Sequence, residues 1–212
     1  VIHNEVNHTK IANGGIMLDM GSRDEALDEQ GLAHFLEHMA FKGTAKRSSY
    51  HIINRLESLG GELNAYTTKE KICFYASLLD NHVEKAVELL CDITFNSTFP
   101  EKQIEKERTV ILEEMSMYRD TPEDSIQDEF DELLFPNHAL GRNILGTEQT
   151  VNSYQKDHFR SFLDRNLNTE KIILSSVGNY SAKKIQRLAT KYLKDIPHKN
   201  HTPERSWFEG YS

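Results

Sequence analysis

The sequence predicts one α+β domain over residues 1–212: a mixed, mostly antiparallel sheet with helices packed mainly on one face. Three observations carry this. Residues 62–79 read as a β-hairpin, in which Ile72, Phe74, Ala76 and Leu78 alternate with Cys73, Tyr75 and Ser77. Stretches on either side of it show the apolar spacing of amphipathic helices. A further apolar strand, 171–178, comes late in the chain and is needed to complete a sheet begun near the N-terminus. Alternating helices and strands also occur in parallel doubly wound sheets. The hairpin, and the lack of a glycine-rich strand-to-helix turn, argue against that alternative.

Residues 1–13 are polar and offer a short edge strand at most. Gly15–Met20 reads as a strand stopped by Gly21. An acidic loop, 22–30, feeds a helix in which Leu32, Phe35, Leu36 and Met39 recur at helical spacing and Gly43 provides a stop. Ser48 or Ser49 caps a helix from 50 to 59, with Ile52, Ile53, Leu56 and Leu59 inward, and Gly60-Gly61 ends it. The hairpin strands are 62–67 and 72–79. Asn81 caps a helix to about Phe95, and Pro100 opens a long charged helix. Thr121-Pro122-Glu123-Asp124 marks another helix start, with proline at the first helical position, and this helix runs to Phe135. Residues 136–146, rich in Pro, Asn and Gly, form a loop. Helices are expected over 153–163 and from Ser181 to about Ile196, with an irregular tail over 197–212.

Hydrophobic residues are 38% and charged residues 27%, ordinary for a globular chain long enough to bury a core. No apolar run approaches the ~18 residues that flag a transmembrane helix, so no membrane span is expected. The start, Val1-Ile2-His3-Asn4, lacks a signal-peptide pattern. It also lacks Met, so a trimmed or processed N-terminus is expected. A net charge of −8 argues against nucleic acid as a partner, since phosphate binding needs basic patches. An acidic surface suits basic peptides, or is simply solvated. Cys73 and Cys91 are the only cysteines and read as buried, reduced thiols. They fit a reducing compartment, the bacterial cytoplasm or alternatively the mitochondrial matrix.

The chemistry concentrates in Gly31-Leu-Ala-His34-Phe-Leu-Glu37-His38-Met-Ala-Phe-Lys-Gly43. On a helix, residues four apart lie within roughly 40° of one another, so His34 and His38 can bind one metal ion. Glu37 points to the same side and can reach a water on that metal. The pattern is H-x-x-E-H, the reverse of the H-E-x-x-H zinc-peptidase helix. Catalytic zinc commonly takes three protein ligands and keeps one position for water, so a third ligand must come from elsewhere. The charged helix after Pro100 is the place to look. Ile104, Ile111 and Met115 make an apolar stripe through it, and Glu107 and Glu114, seven apart, share a face. Local physics leaves Glu113 and Glu114 both open. The remaining histidines have no partner at ligand spacing; His3, His8, His198 and His201 lie in polar ends and read as solvent-exposed.

Taken together, the two stretches resemble the pitrilysin/insulinase-type zinc metallopeptidases, in particular their processing-peptidase branch. That family carries H-x-x-E-H and, about 76 residues later, a glutamate in a segment like E-R-x-V-I-x-x-E. Here the segment reads Glu107-Arg108-Thr109-Val110-Ile111-Leu112-Glu113-Glu114. Gly21-Ser22-Arg23-Asp24-Glu25 is similar to the family's G-S-R-x-E. Gly60-Gly61-Glu62-Leu63-Asn64-Ala65-Tyr66-Thr67 is similar to its G-G-x-x-N-A-x-T strand, and Leu140-Gly141-Arg142-Asn143-Ile144-Leu145-Gly146 to its L-G-x-x-I-L-G turn. The resemblance implies one zinc ion per chain held by His34, His38 and Glu114, with Glu37 as general base and Glu107 supporting the site from behind. It places Asn64, Ala65 and Tyr66 beside a bound peptide. It implies a processing-peptidase-like fold and a zinc-dependent endopeptidase acting on unfolded peptides or presequences. Members carry two homologous domains facing each other across a chamber, so a second domain or subunit is expected as partner, and this half alone is expected to lack full activity. Some members are non-catalytic core subunits that scaffold respiratory complexes. Those typically lose motif residues, and all four are present here.

Overall fold

The computed structural model describes residues 1–210. Strands β1 (Ile2–Glu5), β2 (Ile11–Leu18), β3 (Glu62–Thr67), β4 (Ile72–Leu79) and β5 (Ile173–Gly178) form one sheet in the order β1-β5-β2-β4-β3. β1 runs parallel to β5, and the other three pairings are antiparallel. The helices are α1 (Leu32–Ala40), α2 (Ser49–Glu57), α3 (Val83–Phe95), α4 (Glu101–Arg119), α5 (Pro122–Leu134), α6 (Glu148–Ser153), α7 (Lys156–Asn166) and α8 (Ala182–Leu193). The late strand does complete the sheet: β5 sits between β1 and β2.

The pleat sends alternate side chains to opposite faces, and among the described residues the helices pack on one of them. Ala12, Ile16 and Leu18 of β2, Ile72, Phe74, Ala76 and Leu78 of β4 and Leu174 of β5 are buried. α3 lies over β2 and β4, and α8 packs on α3 and β1. The opposite face presents Ile11, Tyr75, Leu79, Ile173 and Val177 to solvent. The fold class is therefore the one the sequence predicts. β3 is the last strand in the sheet and lies beside α1 and α2.

Several boundaries differ from expectation. β2 begins at Ile11 rather than Gly15. Asn13-Gly14-Gly15 interrupts the alternation in sequence, but pairing with β4 on one side and β5 on the other satisfies that backbone. The helix expected over 153–163 starts only at Lys156, as α7, and a separate short α6 precedes it, the two parted at Tyr154-Gln155. The Thr147 hydroxyl caps α6 by accepting from the Thr150 N–H at 3.1 Å, and buried Tyr154 turns inward to donate to the Gln30 carbonyl at 2.7 Å. β5 starts at Ile173 because Thr169–Lys171 forms a 3-10 turn. α8 stops at Leu193, short of Ile196. His3 is half-buried rather than exposed. The parallel β1/β5 pairing brings its ring to Ser176 Oγ (2.7 Å) and the Tyr180 carbonyl (2.6 Å).

Residues 197–210 carry no helix or strand. They are tied down by Arg205, which bonds Asp19 at 3.0 Å and Asp24 at 2.8 Å. Tyr211 and Ser212, the end of the expected irregular tail, lie outside the described residues. Among the described residues no helix is long and apolar enough to cross a membrane. Cys73 and Cys91 are buried and free.

Candidate metal centre

α1 is a short helix driven into the core. Leu32, Phe35, Leu36 and Met39 are buried on its inner side. Phe35 meets the Phe159 ring edge-on at 5.1 Å and the Tyr154 ring at 6.1 Å. Burying a side chain of this size contributes roughly 1.5–3 kcal/mol, so the helix cannot rotate without losing its anchors. The remaining face carries His34, Glu37 and His38. α4 packs across it, held by Ile104, Ile111 and Met115. The same face of α4 delivers Glu107 and Glu114.

Three side chains converge. Glu114 Oε2 lies 3.8 Å from His34 Nε2 and 3.6 Å from His38 Nε2, and His34, His38 and Glu114 each offer a ligand atom within 4.8 Å of the others. Two imidazoles and a carboxylate form a donor set suited to zinc. Burial pushes His34 down, with help from neighbouring His38, to about 3. It therefore stays neutral, as a ligand must. Behind His38, Nδ1 faces Glu107 Oε2 at 3.3 Å. Since a carboxylate can only accept, this contact puts the His38 proton on Nδ1 and turns the Nε2 lone pair toward Glu114. Burial alone would raise the Glu107 carboxyl. The bonds from His38 and from Lys42 Nζ, the latter at 2.8 Å, outweigh it and hold the carboxyl below its usual value.

Glu37 sits beside the triad. Thr67 Oγ1 on β3 donates to its Oε2 at 2.6 Å. Burial raises the Glu37 carboxyl, opposed by the Thr67 bond and by His38, which is the direction that brings a carboxylate toward general-base range. Burial likewise raises Glu114. A cleft of about 390 Å³ opens over the group, lined by His34, Glu37, Ala65, Tyr66, Thr67 and Glu114 among others.

The structure thus brings together His34, Glu37, His38, Glu107 and Glu114, drawn from two helices far apart in sequence. Ala65 and Tyr66 reach the cleft. Asn64 points to the open face of the sheet and accepts from its own neighbour, the Ala65 N–H, at 2.8 Å. Glu113 is exposed on the far side of α4. Two residues that the sequence reading did not single out also serve the centre: Thr67, which holds Glu37, and Lys42, which holds Glu107. The two-residue period of β3 marks Thr67, since it shares a face with Ala65. Lys42, one helical turn beyond His38, carried no comparable signal.

Residues 1–148 match the family described as Insulinase (Peptidase family M16). An uncharacterized zinc protease of Bacillus subtilis, YmxG, is 36% identical over 197 residues, which is 93% of this chain and 44% of that protein. The chain thus spans less than half the length of this relative. Among solved structures, the periplasmic protease PqqL of Escherichia coli superposes with a TM-score of 0.88 at 23% identity, over 99% of this chain and 24% of PqqL. The peptidase M16 inactive domain of Pseudomonas fluorescens superposes with a TM-score of 0.86 at 16% identity, over 96% of this chain and 50% of that one. Both structural likenesses concern the fold.

Proposed function

The chain belongs to the insulinase (M16) family of peptidases, and we propose that it is the metal-bearing domain of a zinc-dependent endopeptidase that cuts unfolded peptides or presequences. The observation that carries this reading is the convergence of His34, His38 and Glu114 with Glu37 beside them. His34, His38 and Glu114 would hold one zinc ion. When bound there, it would supply Lewis-acid chemistry toward a water and the scissile carbonyl. Glu37 takes the water's proton. Its Oε2 is engaged by Thr67, so Oε1 is the oxygen left to accept the proton and later to hand it to the departing amine. Glu107 keeps His38 in the ligating tautomer.

The peptide lies along the outer edge of β3, which no other strand occupies among the described residues, and gains main-chain hydrogen bonds there. Asn64 donates to its backbone, with Ala65 and Tyr66 alongside. A second, homologous domain supplies the opposite wall of a closed chamber. The length of the relative supports this, as do the exposed apolar side chains Ile11, Tyr75, Leu79, Ile173 and Val177, which such a domain can cover. The free, buried thiols support a reducing compartment, the bacterial cytoplasm.

The test is zinc content and cleavage of an unstructured peptide by the full-length protein beside Glu37→Gln. About one zinc per chain in both, with cleavage only in the wild type, is the expected result. Zinc without cleavage in the wild type would favour a non-catalytic core subunit, and no zinc uptake would overturn the metal site.

A further inference from the structure

Two motifs have no part in the chemistry above: Gly21–Glu25 and the turn Leu140–Gly146. The structure brings both to the N-terminus of α1. A helix start leaves its first N–H groups without intrahelical partners. The residue capping α1 is Gly31, at φ 89°, which has no side chain to accept them, and α1 has no acidic residue in its first turn. Glu25 fills both gaps from outside the helix. Its Oε2 accepts from the Gly31 N–H at 3.0 Å and its Oε1 from the Ala33 N–H at 2.8 Å. It is 5% exposed, and both of its oxygens face the helix start.

Glu25 is itself held from both sides. Arg142 Nη1 donates to its backbone carbonyl at 2.9 Å. The N–H groups of Ser22 and Arg23 donate to the carbonyls of Thr68 and Lys69 at 3.2 and 2.7 Å, pinning the segment to the tip of the β3–β4 hairpin. Gly31 packs back to back with Gly146, where a Cβ on either would collide with the carbonyl of Leu145 or Gln30. Ala33 directly precedes His34, and Glu37 and His38 follow one turn later. A slide or rotation of the first turn therefore moves all three.

We propose that Glu25 is a positioning residue of the metal centre: its side-chain carboxyl clamps the first turn of α1 and so sets where His34, Glu37 and His38 meet Glu114. The consequence for zinc rests on the metal reading above, whereas the clamp does not. Glutamine at this position keeps the size but turns an NH2 toward one of the two backbone N–H groups, so one bond is lost.

The experiment compares full-length wild type, Glu25→Gln and Glu29→Gln, the last a nearby acid that bonds the Ala26 N–H instead. Amide hydrogen exchange over residues 31–38 is read in the zinc-free protein, and zinc affinity by chelator competition. Glu25→Gln is expected to speed exchange in the first turn of α1 about fivefold, as for a lost cap, and to weaken zinc about tenfold. α3 and α8 stay protected, and Glu29→Gln behaves as wild type. Unchanged exchange over 31–38, exchange raised equally along the whole chain, or faster exchange with unchanged zinc affinity would each overturn the proposal. If the amide variant does not fold, Glu25→Asp, with the carboxyl kept one methylene short, carries the same two readouts with smaller changes. A wild type that takes up no zinc overturns the metal reading and the positioning role together, while exchange still reports on the clamp. Loss of the clamp alone leaves zinc uptake by the wild type intact.

Discussion

α1 and α4 both deliver the proposed ligands to the same point, yet they are constrained in different ways. α1 is 9 residues long and buries Leu32, Ala33, His34, Phe35, Leu36, Met39 and Ala40. α4 is 19 residues long and buries Ile104, Glu107, Ile111 and Met115. In α1 nearly every position is occupied either by packing or by chemistry, so a short motif specifies the whole element. In α4 most positions are solvated, and the ligand is marked only by its phase relative to a thin apolar stripe. The difference teaches that a candidate metal site can draw on one helix that is mostly core and on one whose charged residues are mostly surface.

The sharpest probe of the comparison is Glu37→Gln. It removes the proton acceptor on the rigid helix and is expected to cut kcat by about 10²–10⁴-fold with zinc retained, as measured by peptide cleavage and metal analysis. On α4, Glu114→Gln should lower zinc occupancy sharply, while exposed Glu113→Gln leaves it unchanged. The reverse result would place the ligand one residue earlier. Glu107→Gln, which removes the negative charge behind His38 and can turn an NH2 toward its Nδ1–H, should weaken zinc by about 10–100-fold in a chelator competition. Thr67→Val should lower kcat by about tenfold, the size expected for one hydrogen bond to a charged group, with little change in zinc content.

A last expected effect, read in stability rather than in activity, is a change of slope with pH. Burial pushes the Glu25 carboxyl up to about 8, against the pull of the Ala33 and Gly31 N–H groups, with Glu29 adding to the rise and Arg142 opposing it. The folded chain therefore holds a proton that the unfolded chain releases near the ordinary carboxylate value. Its contribution to stability is present below that value and is lost as pH rises toward about 8. The wild-type Tm should fall more from pH 5 to pH 8 than that of Glu25→Gln. Parallel slopes would show that Glu25 stays ionised throughout.

Much of this was legible before any coordinates. The strand period over 72–79 and the helical spacing of Leu32, Phe35, Leu36 and Met39 report burial directly, because each pattern reflects which side chains leave water. The split of α6 from α7 was not legible, because it depends on Tyr154 reaching a carbonyl more than a hundred residues earlier. The early start of β2 was hidden for a related reason: two neighbouring strands satisfy a stretch whose own alternation fails. For α4 the apolar stripe itself carries a signal. At ~100° per residue, Glu114 falls roughly 80° from Ile104 and Glu113 roughly 180° away. The stripe alone therefore favours the residue that the structure turns toward His34 and His38.

The sequence by itself determined the α+β class, the H-x-x-E-H helix and the family to which the chain belongs, since periodicity and motif spacing are local properties. Only the tertiary structure decided that Thr67 holds Glu37, that Lys42 and His38 share Glu107, and that Glu25 closes the open end of α1. The first two join groups 30 and 69 residues apart, the third folds a loop back onto a helix start, and a hydrogen bond depends on positions in space that no local pattern encodes.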